Sequence, residues 1–303
     1  MRGLELSRRF WEERLRPALE ETCPELMPRL AAGLCGAGSD CLGYDDEISR
    51  DHDFGAGCMV FISRADEREI GFLLSTVYDR LPGEFLGFKC EHRSRQGGGR
   101  YGVKTIEDFF IPFTGTAGAP ENWRQWLSVP SWALAQATAG EVFYDGNGAF
   151  SAIRETIRTG MDRDVWLKKL AARAALMAQS GQYNFSRCRR HGEEAAARLA
   201  CCEFVRETLE MIFLLNHRYM PYYKWAFRAL RELEILSDQA EDLESLLFDP
   251  REDTIEKISA AVIAELSRLG LTQGSWDYLE PHAYEIMARI RDPEIAALHV
   301  MEG

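Results

Sequence analysis

Leu30-Ala31-Ala32-Gly33-Leu34-Cys35-Gly36-Ala37-Gly38-Ser39 is an apolar run that breaks into a glycine-rich turn. Eleven residues separate it from Asp51-His52-Asp53, which is followed by a second apolar run, Cys58-Met59-Val60-Phe61-Ile62. Short continuous apolar runs bounded by turn residues fit buried strands. Residues i and i+2 of a strand point to one face, so Asp51 and Asp53 are expected to stand side by side. Two carboxylates that close repel unless a cation sits between them. Hard oxygen donors of this kind suit Mg²⁺, which takes one or two carboxylates together with substrate phosphates. The Gly38-Ser39 turn offers the complement, backbone N–H groups and a hydroxyl for phosphate oxygens. Gly55 and Gly57 fall on the same strand face as the acids and would leave room for a nucleotide, although a strand glycine can equally mark a bulge.

The 303 residues suggest two domains of ordinary size. A hydrophobic content of 46% supports a core, and the net charge of −12 argues against a nucleic-acid binder, which needs a cationic footprint. None of the eight cysteines forms a Cys-x-x-Cys pair, so zinc-ribbon spacing is absent. The start is not a signal peptide and no apolar run has membrane-span length, which points to a cytoplasmic protein that does not engage a membrane.

Residues 4–20 carry the apolar spacing of an amphipathic helix, and residues 65–80 read as a helix with Ser63 as N-cap. Residues 84–113 read as strand, loop, strand and a short helix. The loop, Arg93 to Arg100, is basic and glycine-rich, either a mobile hairpin tip or a lid over phosphates. Thr114-Gly115-Thr116-Ala117-Gly118-Ala119-Pro120 is the expected domain boundary. Beyond it the pattern turns helical, with candidate helices at 121–127, 130–137, 148–158, 162–180, 191–216, 219–235, 238–247, 252–269 and 275–290.

Gly38-Ser39 followed by Asp51-His52-Asp53 resembles the signature of the polymerase-β-like nucleotidyltransferase superfamily. The run from Gly36 to Gly55 is similar to a bacterial family of unknown function, DUF4037. So are Thr138-Ala139-Gly140-Glu141-Val142-Phe143-Tyr144-Asp145, Asp164-Val165-Trp166-Leu167 and Tyr219-Met220-Pro221-Tyr222-Tyr223-Lys224-Trp225, so that the resemblance spans nearly the whole chain. It implies an α+β protein: a nucleotidyltransferase-like mixed-sheet domain over residues 1–119, then an all-α domain over 120–303, as in aminoglycoside nucleotidyltransferases. It also implies a reaction, transfer of a nucleoside monophosphate from an NTP (ATP the expected donor) to an unidentified small-molecule or protein acceptor, with release of pyrophosphate. Asp51 and Asp53 would be catalytic and hold Mg²⁺, while Gly38 and Ser39 would hold the triphosphate.

Active members of that superfamily carry a third carboxylate on a neighbouring strand, where this chain reads Val103-Lys104-Thr105-Ile106; the nearest substitutes are Glu107, Asp108 and Glu91. Without one, the alternative is a catalytically degenerate nucleotide-binding or regulatory protein. Tyr222 and Lys224 could wall the base and meet a phosphate, or could be aromatic packing beside a solvated lysine. Asp45, Asp46 and Glu47 read as a solvated acidic loop. His52 would point away from the acids. A homodimer is compatible with the sequence.

Overall fold

All six residues of strand β1, Leu30–Cys35, are buried, as their unbroken apolar run demands. The computed structural model describes residues 1–48, 55–90 and 100–303. Two compact units emerge, one built from Met1–Glu121 with Ala133–Gly160, the other from Asn122–Trp132 with Met161–Gly303.

The first unit holds a four-stranded mixed sheet. Its strands are β1, β2 (Met59–Ile62), β5 (Gly102–Thr105) and β6 (Gly140–Asp145), in the order β5-β2-β1-β6; β3 (Glu84–Phe85) and β4 (Phe88–Lys89) form a separate hairpin. β1 runs antiparallel to both β2 and β6, and β2 runs parallel to β5. The antiparallel pairing Leu30↔Ile62 to Gly33↔Met59 sets the last residues of β1 beside the entry to β2.

One sheet face carries Leu30, Ala32, Leu34, Cys58, Val60, Ile62 and Val103, packed with Leu6, Phe10, Leu74 and Tyr78 from helices Gly3–Phe10 and Phe72–Asp79. The opposite face carries Phe61, whose ring stacks 4.0 Å from Phe150 and meets Phe109 edge-on at 5.2 Å. Fully burying such a side chain contributes roughly 1.5–3 kcal/mol. Ser63 caps the next helix as its sequence suggests, accepting the Asp66 N–H at 3.1 Å.

The all-α expectation for residues 120–303 does not hold at β6. Residues 140–145 are the edge strand of the sheet, and the whole of Ala133–Gly160 belongs to the sheet unit. The division therefore differs from a cut at 119. All six residues of β6 are half-buried, so neither a buried run nor a clean alternation marks it. Its sequence signal is Val142-Phe143-Tyr144, good strand formers, between Gly140 and the turn Asp145-Gly146-Asn147-Gly148.

The second unit is helical. Helix Arg163–Met177 packs against Glu194–Leu215 and Leu279–Met287. Ala171, Ala172, Ala174 and Ala175 are buried at its centre, small enough to let neighbouring helices approach closely. Asp162 caps its start, accepting the Asp164 N–H at 2.7 Å. The helix expected over 219–235 is shorter, Tyr223–Leu230. Pro221 disfavours helical geometry at Met220, which excludes the start of that span, and the extended Tyr222 precedes the first helical residue, Tyr223. Among the described residues no helix is long and apolar enough to cross a membrane.

Candidate functional site

The turn that follows β1 is shaped by glycine. Gly36 has φ +97° and Gly38 φ +135°, values that a side chain would strain. Gly38 is exposed and Ser39 half-exposed, while Asp40 is buried. The turn closes through Tyr44 N–H donating to the Ser39 carbonyl at 2.7 Å and Gly43 N–H to the Asp40 carbonyl at 2.9 Å.

Two arginines hold this turn: Arg100, the last residue of the basic loop, and Arg154, which sequence reasoning did not single out. Arg100 pairs with the Asp40 carboxylate, and its Nη2 lies 3.4 Å from Cys41 Sγ. Burial works against the Arg100 cation, but attraction to Asp40 and, at the high pH where it ionises, to the Cys41 thiolate outweighs it and holds the proton more tightly than usual. The guanidinium lies so near the backbone that a Cβ on Gly38 would fall 2.4 Å from Nη2. Asp40 follows directly on Gly38-Ser39, which is the signal that could have marked it.

Arg154, almost wholly buried, grips the other side. Its Nη2 donates to the carbonyls of Thr138 (2.6 Å), Ala139 (3.1 Å) and Gly140 (2.9 Å), and its Nη1 reaches Cys35 Sγ at 2.9 Å. The Ala139 carbonyl in turn accepts the Gly36 N–H at 3.3 Å. Burial pushes the Cys35 thiol up to about 11 and the Cys41 thiol up to about 12. Both stay protonated at neutral pH, so neither is a thiolate nucleophile.

Asp51, His52, Asp53 and Glu91 lie outside the described residues. What is described is where the chain goes next. The Gly55 carbonyl accepts the Tyr101 hydroxyl at 3.1 Å, Ala56 bridges Cys90 in parallel, and β2 begins at Met59. Continuing the β1–β2 register places Gly55–Gly57 at the same end of the sheet as the Gly36–Asp40 turn. The space expected at Gly57 is taken: a Cβ there would meet the Tyr101 ring at 2.8 Å and the Tyr78 hydroxyl at 3.1 Å. Gly57 serves aromatic packing, not nucleotide room.

The candidate third acids within the described residues sit elsewhere. Lys104 pairs with Phe61, well along β2 from Gly55. Glu107 accepts the Arg64 N–H at 3.0 Å, and Asp108 accepts from the Arg64 side chain at 2.6 Å. Both are thus engaged past Ile62, at the opposite end of β2. Among the described residues no three His, Cys, Asp or Glu side chains group as a metal site. Asp45 is not simply solvated, for its Oδ2 accepts the Gly3 N–H at 2.8 Å at the start of the first helix.

In the helical unit, Tyr222 and Tyr223 are exposed with rings 4.3 Å apart, and Lys224 Nζ lies 5.1 Å from the Trp225 ring. A second polar cluster there was not foreseen. Lys169 Nζ donates to the Leu127 carbonyl at 3.0 Å, and burial, with repulsion from Arg173, brings its ammonium down to about 8. Burial raises the nearby Glu210 carboxyl against the pull of Arg173, Lys169 and a hydrogen bond with Ser131. The Ser131 hydroxyl oxygen also accepts the Met220 N–H at 2.7 Å. The fully buried Glu207 is ion-paired to Arg173 (2.9 Å) and Arg206 (2.6 Å).

Residues 126–226 match the model of a domain of unknown function, DUF4037. The matched segment takes in β6, Arg154, the Lys169–Glu210 cluster, Tyr222 and Lys224, but not Gly38, Ser39, Asp51 or Asp53. It is narrower than the near-complete span the sequence resemblance implies. No curated protein and no solved structure matches the chain.

Proposed function

We propose that this protein is a nucleotidyltransferase that binds an NTP, with ATP the expected donor, at the Gly38–Ser39 turn and passes its nucleoside monophosphate to an unidentified acceptor hydroxyl. One observation carries the reading. The positive-φ turn and the point where the acid-bearing segment re-enters the sheet, Gly55–Gly57, fall at one end of neighbouring antiparallel strands. The backbone of Ala37 to Ser39 offers N–H groups to a polyphosphate, with Gly38 exposed. The Arg100–Asp40 pair and the Arg154 grip keep that backbone in one conformation, so little ordering is left to do on binding.

Asp51 and Asp53 would hold Mg²⁺, whose chemistry is to neutralise charge on the transferring phosphoryl group. The hard carboxylate donors suit that ion, and the turn suits its polyphosphate partner. In the transfer, the acceptor oxygen bonds to the α-phosphorus as the bond to the pyrophosphate oxygen breaks, and the acceptor's proton passes to a base.

The test is titration calorimetry with ATP, CTP, GTP and UTP, with and without Mg²⁺. The expected result is Mg²⁺-dependent binding of at least one NTP that Asp51→Asn/Asp53→Asn abolishes. No heat with any of the four overturns the reading.

The engagement of Glu107 and Asp108 with Arg64 favours a second reading, a regulatory protein that binds nucleotide without turning it over. An NTP labelled on its α-phosphate, incubated with the protein and a metabolite extract, separates the two. Label entering a product excludes the regulatory reading, whereas binding with no transfer supports it.

A further inference from the structure

The segment Gln273-Gly274-Ser275-Trp276, between helices Glu252–Arg268 and Leu279–Met287, is fixed in place although its tryptophan faces water. Glu285 Oε2 accepts the Gln273 N–H at 2.6 Å and the Gly274 N–H at 3.4 Å. The Trp276 ring lies against Gly274, where a Cβ would fall 2.0 Å from Cζ3, so only glycine admits it. The Trp276 carbonyl is 3.0 Å from Nε2 of the buried His282, and the two rings meet edge-on at 5.8 Å. With all these contacts the indole keeps half its surface, 50%, exposed.

Beside it runs an open groove of about 510 Å³, lined by Trp276, Glu280, Pro281, Tyr284, Glu285 and Ala288. Tyr284 is also exposed. The acidic lining residues are Glu280 and Glu285, and no lysine or arginine lines the groove. Glu285 is held by the backbone amides and keeps its charge, and Glu280 adds a second carboxylate to the groove. Indole and phenol faces attract cations through their quadrupoles, most usefully when the cation is alkylated and hydrates weakly, and a carboxylate beside them adds a charge of the right sign. The net charge of −12 works in the same direction. A groove of this size suits one head group and a short chain.

We propose that this groove binds the alkylated ammonium head group of a small organic cation, with Trp276 and Tyr284 as its aromatic walls and Glu280 as a counter-charge. The site lies outside the nucleotide site and does not rest on the nucleotidyltransferase reading.

The probe is choline chloride, titrated calorimetrically into the full chain at constant chloride, against 3,3-dimethyl-1-butanol, which replaces the charged nitrogen by carbon. Saturable millimolar binding of choline is expected, with the uncharged isostere at least about tenfold weaker, a factor equal to about 1.4 kcal/mol. Trp276→Leu should abolish binding, and Glu280→Gln should weaken it severalfold. Trp276→Phe, which keeps a ring, should retain part of it. Circular dichroism melts of all three variants matching the wild type would assign these losses to the site. Absence of saturation by choline overturns the proposal, as does equal binding of the isostere or indifference to Trp276→Leu in a folded variant. Capture of a trimethyllysine peptide by a protein that ignores choline would also overturn it, in favour of a peptide surface.

Discussion

One face of the sheet is packed by a cluster of rings, whereas helix Arg163–Met177 of the helical unit meets its neighbours through alanines, although Phe185, Phe204 and Phe213 are buried in that unit too. Phe61, Phe109, Phe110 and Phe150 crowd together with ring centroids 4.0–5.4 Å apart. The central helix of the other unit instead presents Ala171, Ala172, Ala174 and Ala175 to its neighbours. A core of rings fails by losing atoms, because its neighbours cannot collapse into the void. A core of alanines fails by gaining them, because close-packed helices have nowhere to put an added side chain.

The sharpest way to break this comparison is Phe150→Ala. It should cost about 4 kcal/mol in a urea melt, and a cost near 1 kcal/mol would mean the ring cluster is not a jigsaw. Next comes Arg100→Met, which leaves the buried Asp40 carboxylate unpaired. It should cost about 3 kcal/mol, toward the low end for a buried pair because the Arg100 side chain is 18% exposed. Adding Asp40→Leu should return much of that loss, read as a non-additive double-mutant cycle. In the helical unit Ala172→Leu should cost about 2 kcal/mol through overpacking, while the same change on an exposed helix surface should cost almost nothing.

Two sets of buried groups should also answer pH with opposite signs. The Cys35 and Cys41 thiols sit at about 11 and about 12, above their ordinary 9.0, so the folded chain keeps protons the unfolded chain releases. Their stabilisation is complete below pH 9 and drains away as pH rises toward those values. Lys169 is depressed from 10.5 to about 8, so between these values the unfolded chain holds the extra proton, and stability climbs with pH. Denaturant melts from pH 7.5 to 10.5 should show a steeper fall in Lys169→Met and a shallower one in Cys41→Ala. Identical slopes in wild type and both variants would refute the assignment. The smallest effect expected is that of Ser63→Ala, about 1 kcal/mol for one lost helix cap, measured in the same melts.

What the sequence made legible was whatever one short segment encodes by itself. β1 and β2 were readable because both are buried along their whole length, and Ser63 because a cap needs only its next three residues. β6 was not, since an edge strand half-buried throughout carries neither a buried run nor an alternation. The holders of the turn were hidden for a different reason. Asp40 and Arg100 are sixty residues apart, and Arg154 looks like the polar face of an amphipathic helix until the carbonyls of 138–140 are placed around it. The turn at Gly36–Ser39 was legible from its glycines. The Asp51–Asp53 half of the candidate site lies outside the described residues, so its pairing with the turn is a matter for the nucleotide titration.

The sheet unit is discontinuous in sequence: the chain departs at Glu121 and returns at Ala133 to lay down β6 and Phe150. During synthesis, then, β1 must wait with one hydrogen-bonding edge bare until more than a hundred further residues have left the ribosome, and a bare edge invites pairing with other chains. A fragment cut at residue 119 would freeze the protein at that stage. It should aggregate where a fragment ending after residue 160 stays dispersed, so anyone isolating the candidate nucleotide site should cut beyond Gly160.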